Sequence, residues 1–416
     1  TIAMAYDGGL AEDKFSQQNG EAEEKKTNKD IIKDKFIQDK AMNENKKIRV
    51  AITHGDTNGI GYELIFKTFA ESEMLELCTP IIYGSPKVAT YHRNALGIEA
   101  NFTIINDASK AQEGRLNLLP VFDEEIKVEF GVPSEESGNA GLRAVDCALE
   151  DYRKGLFDVL VTAPIDNNNQ FHFSGQSRYI EDHLETEGQG LSILVNDELR
   201  VALATRNLPL RQVSESLSKA SIINNVTTLF QSLRRDFRIS CPRIALLGLN
   251  PKAGDNGLLG SEEMEIIAPA IDELVEKDIQ AFGPYAADTF FGCNEAEEFD
   301  GVLAMYYEQG LSPFRTLSAS PGINYTAGLP LVRTAPELPN SLSIAGKGIA
   351  DEQSLRHAIY LAIDIFRNRA DYDAPMGNPL PKLYKEKRDE SDKVRFAIPR
   401  KREDRTPQSE NEKEAH

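Results

Sequence analysis

Six short runs of aliphatic and β-branched residues, with helical patterns between them, constrain the fold more than any other feature of this chain. They are Ile48–Thr53, Thr79–Tyr83, Asp158–Thr162, Leu199–Ala204, Arg243–Leu247 and Gly301–Met305, and each reads as a buried strand. Between and after them, Met264, Ile267, Ile271, Leu274 and Val275 recur on one helical face, as do Leu355, Ile359, Ala362 and Phe366. Strand–helix alternation sustained over about 330 residues predicts α/β layers with mostly parallel strands. Five of the runs feed small polar or Gly/Pro-rich turns, which begin at Thr53, Thr162, Thr205, Gly248 and Tyr306. In open α/β sheets ligands sit beyond the carboxyl ends of strands, so a site is expected among these turns.

The flanks differ from this middle. Residues 1–46 are densely charged and poor in apolar residues, which predicts a disordered arm with at most one isolated helix over Asp30–Lys40. From Lys385 to His416 the chain is again charged, and Arg400, Lys401 and Arg402 read as part of a solvated tail. With 47 basic and 66 acidic residues the formal charge is 47 − 66 = −19, which argues against nucleic acid or an anionic membrane as partner. No apolar stretch approaches the roughly 20 residues that span a bilayer, and the polar N-terminus lacks a signal core, so a cytosolic location is expected. Cys78, Cys147, Cys241 and Cys293 are far apart and form no CxxC pair, which suits a reducing compartment.

Two stretches of the chain invite a chemical reading. Gly55–Gly61 is glycine-rich and opens a helix near Tyr62, so its amides suit an anion; a tight strand-to-helix turn explains the glycines equally well. No G-x-G-x-x-G or Walker sequence occurs. Between Pro313 and Arg333, Arg315, Asn324 and Arg333 surround Gly322 and Gly328 in what reads as a loop cluster suited to a carboxylate or phosphate. His54, His92, His172, His183, His357 and His416 include no pair at a metal-ligand spacing.

From about Lys47 to Arg369 the chain resembles 4-hydroxythreonine-4-phosphate dehydrogenase of pyridoxal 5′-phosphate biosynthesis. The strings that carry the resemblance are Gly-Asp-Thr-Asn-Gly-Ile-Gly (55–61), Val-Thr-Ala-Pro-Ile (161–165), Gly-Leu-Asn-Pro-Lys-Ala-Gly (248–254), Ala-Asp-Thr (287–289), Ala-Met-Tyr-Tyr-Glu-Gln-Gly-Leu (304–311) and Ala-Gly-Lys-Gly-Ile-Ala (345–350). The resemblance implies two α/β/α domains around a cleft, as in isocitrate and isopropylmalate dehydrogenases, and a homodimer whose partner completes the site. It also implies NAD-dependent oxidation of the substrate alcohol followed by decarboxylation, with a divalent metal such as zinc held by three histidines. On this pattern residues 1–46 are an arm, and 47–168 with 316–370 form the nucleotide-side domain. Residues 169–315 form the metal and dimer side, and 371–416 a charged tail.

The chain departs from the family at the reacting centre. The three metal histidines of the family align with Asn207, Lys252 and Tyr307, the last beside Glu308. An amide and a phenol are poor ligands for such metals, and an ammonium repels a dication. The substrate-contacting His-Thr of the family is Gln176-Ser177 here, and Asn167 replaces a lysine. The His-Gly-Thr-Ala loop that lines the nucleotide is Leu338, Pro339, Asn340 and Ser341, followed by Ser343. Asn324 and Arg333 match positions that contact the phosphorylated substrate, and Arg315 stands where the family has lysine.

These departures lead to the expectation of a homologue silent as a dehydrogenase. It needs neither NAD nor metal, and retains a cleft for a small phosphorylated or carboxylated ligand. One alternative is an active enzyme with a rearranged site, in which Lys252 supplies the metal's charge and NAD still binds. Another is a structural or regulatory subunit, pairing with an intact paralogue rather than with itself.

Overall fold

A computed structural model describes residues 47–165, 175–184, 190–317, 321–338 and 341–377 of the 416. The described residues up to Ala374 belong to one unit. The proposed arm, the Asp30–Lys40 helix and the chain beyond residue 377 lie outside the described residues. So do Asn167, Pro339 and Asn340.

All six expected strands are present. They are β1 (Ile48–Thr53), β2 (Cys78–Gly84), β5 (Val159–Thr162), β7 (Arg200–Leu203), β8 (Arg243–Leu247) and β10 (Gly301–Ala304). To these the structure adds β3 (Thr103–Ile104), β4 (Asn117–Pro120), β6 (Leu191–Val195), β9 (Gln280–Tyr285), β11 (Gly322–Ala327) and β12 (Val332–Glu337). All join one sheet in the order β3-β4-β2-β1-β5-β12-β11-β6-β7-β10-β8-β9. Pairing is parallel from β3 to β12 and again from β7 to β9, while β12-β11, β11-β6 and β6-β7 are antiparallel. The two parallel blocks therefore run in opposite directions, and the reversal is confined to the middle of the sheet.

The sequence explains the buried strands directly. β1 and β5 bury Val50, Ala51, Ile52, Val159, Leu160 and Val161, the continuous apolar runs expected where helices cover both faces. The helix Gly61–Thr68 starts so close behind β1 that a β-carbon on Gly61 would lie 1.8 Å from the His54 carbonyl oxygen. Ser85 caps the helix Pro86–Leu96 by accepting from the Val88 amide, with proline at its first position and a left-handed Gly97 at its end.

Three expectations need correction. Asn324 and Arg333 lie on β11 and β12, a paired hairpin, and not on a loop. The apolar face drawn through Met264 and Val275 is narrower than expected. A π-turn over Glu263–Ile267 precedes the helix Ala268–Glu276, so Ile267, Ile271 and Leu274 are buried while Met264 and Val275 are exposed. The helix Gln353–Gly377 buries Leu355, Ile359 and Ala362 and runs past residue 370, where the tail was expected to begin.

Candidate anion site at the reversal of the sheet

Alternation along β11 and β12 produces the site. Thr326 lies opposite Arg333, Asn324 opposite Ala335, and Ser192 of β6 opposite Thr326, so all of these side chains share one face. Leu160 pairs with Arg333, which places Thr162 of β5 on that face as well. A sheet face that covers a core is normally apolar; here its middle is a polar strip.

Arg333 is the centre of that strip and is only 3% exposed. Its Nε and Nη2 donate to Thr162 Oγ1 at 3.1 and 2.6 Å, and Nη2 also donates to Gln176 Oε1 at 3.2 Å. Its Nη1 donates to Ser177 Oγ at 2.9 Å, Thr326 Oγ1 at 3.3 Å and Asn324 Oδ1 at 3.4 Å. Every one of these acceptors is neutral, and among the described residues no carboxylate bonds this guanidinium. Burial, aided by the nearby Arg206 cation, pulls its pKa down to about 10, so it stays charged at neutral pH.

Gln176 and Ser177 reach the strip from the first turn of the helix Gln176–His183, and Gln176 Nε2 anchors that turn on the Ala163 carbonyl at 2.9 Å. The same helix carries the buried Glu181, which accepts from the Gly190 amide at 2.8 Å and lies 3.6 Å from Arg206. Arg315 stands apart from this cluster: it is exposed and donates to Glu337 at 2.5 Å. Of the expected ligand contacts, Gln176, Ser177, Asn324 and Arg333 are thus joined by hydrogen bonds, while Arg315 is held by its own carboxylate.

The turns after β7, β8 and β10 are stitched together. Thr205 Oγ1 donates to the Met305 carbonyl at 2.7 Å; Gln309 accepts from the Met305 amide at 2.7 Å and donates to the Gly248 carbonyl at 2.6 Å. On these turns Asn207 is exposed with φ +48°, and its amide lies beside Gly175 at the start of the Gln176–His183 helix. Lys252 is exposed on a turn in which residues 252–256 are all left-handed. The carboxylate of Glu263 braces that turn, accepting from the Asn250 amide at 2.7 Å and its side chain at 3.0 Å. Tyr307 is partly exposed; burial, with Glu337 and Glu308 nearby, raises its phenol above the ordinary range. An amide, an ammonium and a phenol do not make a donor set for a divalent ion. Among the described residues no three His, Cys, Asp or Glu side chains are grouped to hold one. Leu338 is half-buried against the core and Ser341 opens a short 3₁₀ turn, Ser341–Ile344.

The Gly55–Gly61 turn is committed to its own scaffold. The Asp56 amide donates to the Pro164 carbonyl at 2.9 Å, the Gly59 amide to the Asp56 carbonyl at 3.0 Å, and the Asn58 amide to Ser137 Oγ at 2.9 Å. The Asp56 carboxylate is buried within the turn and accepts from Ser137, which disfavours an anion there. The structural reading of these glycines therefore prevails over the anion cradle.

Sequence inspection missed Thr162, Ser192, Thr326, Arg206 and Glu337. The alternation Ile323, Asn324, Tyr325, Thr326, Ala327 carried the signal for Thr326, since a polar residue at every second position marks one face of a strand.

Comparison with known proteins agrees with this architecture. A sequence model described as "Pyridoxal phosphate biosynthetic protein PdxA" matches residues 76–362. A 4-hydroxythreonine-4-phosphate dehydrogenase of Bacteroides thetaiotaomicron is 52% identical over 357 residues, covering 85% of this chain and 98% of the relative. One from Prosthecochloris aestuarii is 38% identical over 334 residues, covering 77% and 97%. The crystal structure of the Klebsiella pneumoniae 4-hydroxythreonine-4-phosphate dehydrogenase superposes with a TM-score of 0.66 at 29% identity, covering 78% of this chain and 99% of that one.

Proposed function

The chain belongs to the PdxA family of pyridoxal phosphate biosynthetic proteins, and from that premise we propose that it keeps an anion-binding cleft while being silent as a dehydrogenase. The observation that carries the cleft is Arg333, a buried guanidinium held, among the described residues, by neutral oxygens. A buried ion without a counter-ion is costly, and a phosphate or carboxylate entering beside it removes that cost. The loss of redox chemistry rests on the donor set: Asn207, Lys252 and Tyr307 stand where the family places its metal histidines. The changed residues between Leu338 and Ser341 argue in the same direction for NAD.

The exposed position of Lys252 weighs against the rearranged enzyme, because a stabilising ammonium must be fixed and desolvated to replace a metal's charge. The domain division 47–168 with 316–370 against 169–315 is supported by the sheet order, in which β1–β5, β11 and β12 are contiguous and β6–β10 are contiguous. Exposed Leu208, Leu210, Leu258 and Leu259, on the segments after β7 and β8, support a paired assembly with a second copy or a paralogue. A cytosolic setting goes with this reading; no described helix is long and apolar enough to cross a membrane.

Isothermal titration with inorganic phosphate tests the cleft. Arg333→Met is expected to weaken binding about 30-fold or more, the loss of a buried charge-assisted pair. Unchanged affinity in the variant, or no binding by the native chain, would refute the reading.

A further inference from the structure

The charges around the polar strip balance in a way that restricts the ligand. Arg178 pairs with Asp182 at 2.9 Å, Arg206 lies 3.6 Å from Glu181, and Arg315 bonds Glu337 at 2.5 Å. Among the described residues, Arg333 alone of these guanidiniums has no carboxylate bonded to it. Glu337 is mostly shielded, with its side chain 14% exposed, and sits four residues beyond Arg333 on β12. Even spacing on a strand puts both side chains on one face, roughly 13 Å apart along the chain direction. Asn324, opposite Ala335, lies between them.

Resting on the anion-cleft reading, we propose that Glu337 is a resident counter-anion that occupies Arg315 and limits the cleft to ligands with one anionic group. A second acid group, extended from the Arg333 end toward Arg315, meets a carboxylate already seated there. The two negative charges repel in a partly desolvated setting, where like-charge contacts are costly. Glu337 also acts on its surroundings at both ends of the strip, favouring the charged form of Arg333 and disfavouring ionisation of Tyr307. Glu337 therefore selects between one-headed and two-headed anions.

The test compares inorganic phosphate, which has one head, with 4-phosphonobutyrate, which has two, by calorimetry on the full chain. The native protein is expected to bind phosphate about tenfold more tightly than 4-phosphonobutyrate. Glu337→Gln should tighten 4-phosphonobutyrate about tenfold and leave phosphate within about twofold. Glu337→Ala should reproduce the change, and adding Arg315→Ala to Glu337→Gln should abolish it. The ratio of the two affinities is the readout, so a general loss of stability does not imitate the effect. Phosphate binding with an unchanged ratio would overturn the role of Glu337 and leave the anion cleft standing. A native protein that already prefers the two-headed acid tenfold would overturn it too. Failure of either acid to bind native or variant protein would overturn the cleft, and this inference with it.

Discussion

Acid should destabilise this protein through two imidazoles that have no room for a proton. His54 is fully buried, stacked on Tyr62 at 5.2 Å between ring centroids and met edge-on by Phe122 at 6.0 Å. Neither of its ring nitrogens has a hydrogen-bond partner among the described residues; the Gly55 backbone lies near enough to favour the cation only slightly. His92 is also buried, donating from Nε2 to the Thr57 carbonyl at 2.7 Å while Nδ1 has no partner among the described residues. Burial, reinforced by His92, lowers His54 to about 3, and burial lowers His92 to about 4. In the unfolded chain both titrate near 6.5. Above that pH neither state binds the extra protons and stability is level. Below it the unfolded chain takes them up while the folded chain does not, so stability falls as pH drops from about 6.5 toward 4 and 3. At pH 5 the linkage amounts to about 2 kcal/mol for each histidine and about 4 kcal/mol for both. Urea unfolding of the native chain and His54→Phe at pH 7.5 and pH 5.0 measures it. The comparison uses the difference between the two pH values, so the packing cost of phenylalanine cancels. The variant should lose about 2 kcal/mol less than the native protein over that interval. Equal losses would refute the argument.

Two further expectations concern the scaffold. Arg369 donates to buried Asp236 from Nε at 2.7 Å and to the Tyr325 hydroxyl at 2.8 Å; Arg369→Met strands that carboxylate and should cost about 3–5 kcal/mol in chemical denaturation. Gly61→Ala should abolish the fold or cost more than about 4 kcal/mol, since its β-carbon would collide with the His54 carbonyl, whereas Gly348→Ala, left-handed in open space, should cost only about 1–2 kcal/mol by the same measurement.

The six strands legible in the sequence are apolar runs covered on both faces, which need no partner to be recognised; β6 is as fully buried but has no such place in the pattern read from the sequence. The sequence reads as loop over β11 and β12 because Pro321, Gly322, Gly328 and Pro330 bound and join them, and such residues signal turns as readily as hairpin ends. That misreading hid the geometry of the site, since Asn324 and Arg333 meet only when the hairpin pairs. Similarity to the family pointed to Gln176, Ser177, Asn324 and Arg333. Chemistry alone had no way to connect Arg333 with Thr162, which lies 171 positions away and touches it through the parallel pairing of β5 and β12. Arg315 illustrates the opposite error. Its residue type and place suited an anion, but its partner Glu337 is placed by strand register, which composition does not reveal. Asp56 and Ser137, buried together, likewise settle the Gly55–Gly61 turn from 81 positions apart.

The central claim is that the cleft binds anions without a metal centre, and zinc titration with metal analysis of the dialysed protein tests it most directly. The native chain should retain no stoichiometric zinc, and Asn207→His, Lys252→His and Tyr307→His together should create a site for about one ion per chain. One tightly held equivalent of zinc in the native protein would contradict the account and return the chain to the working dehydrogenases of its family.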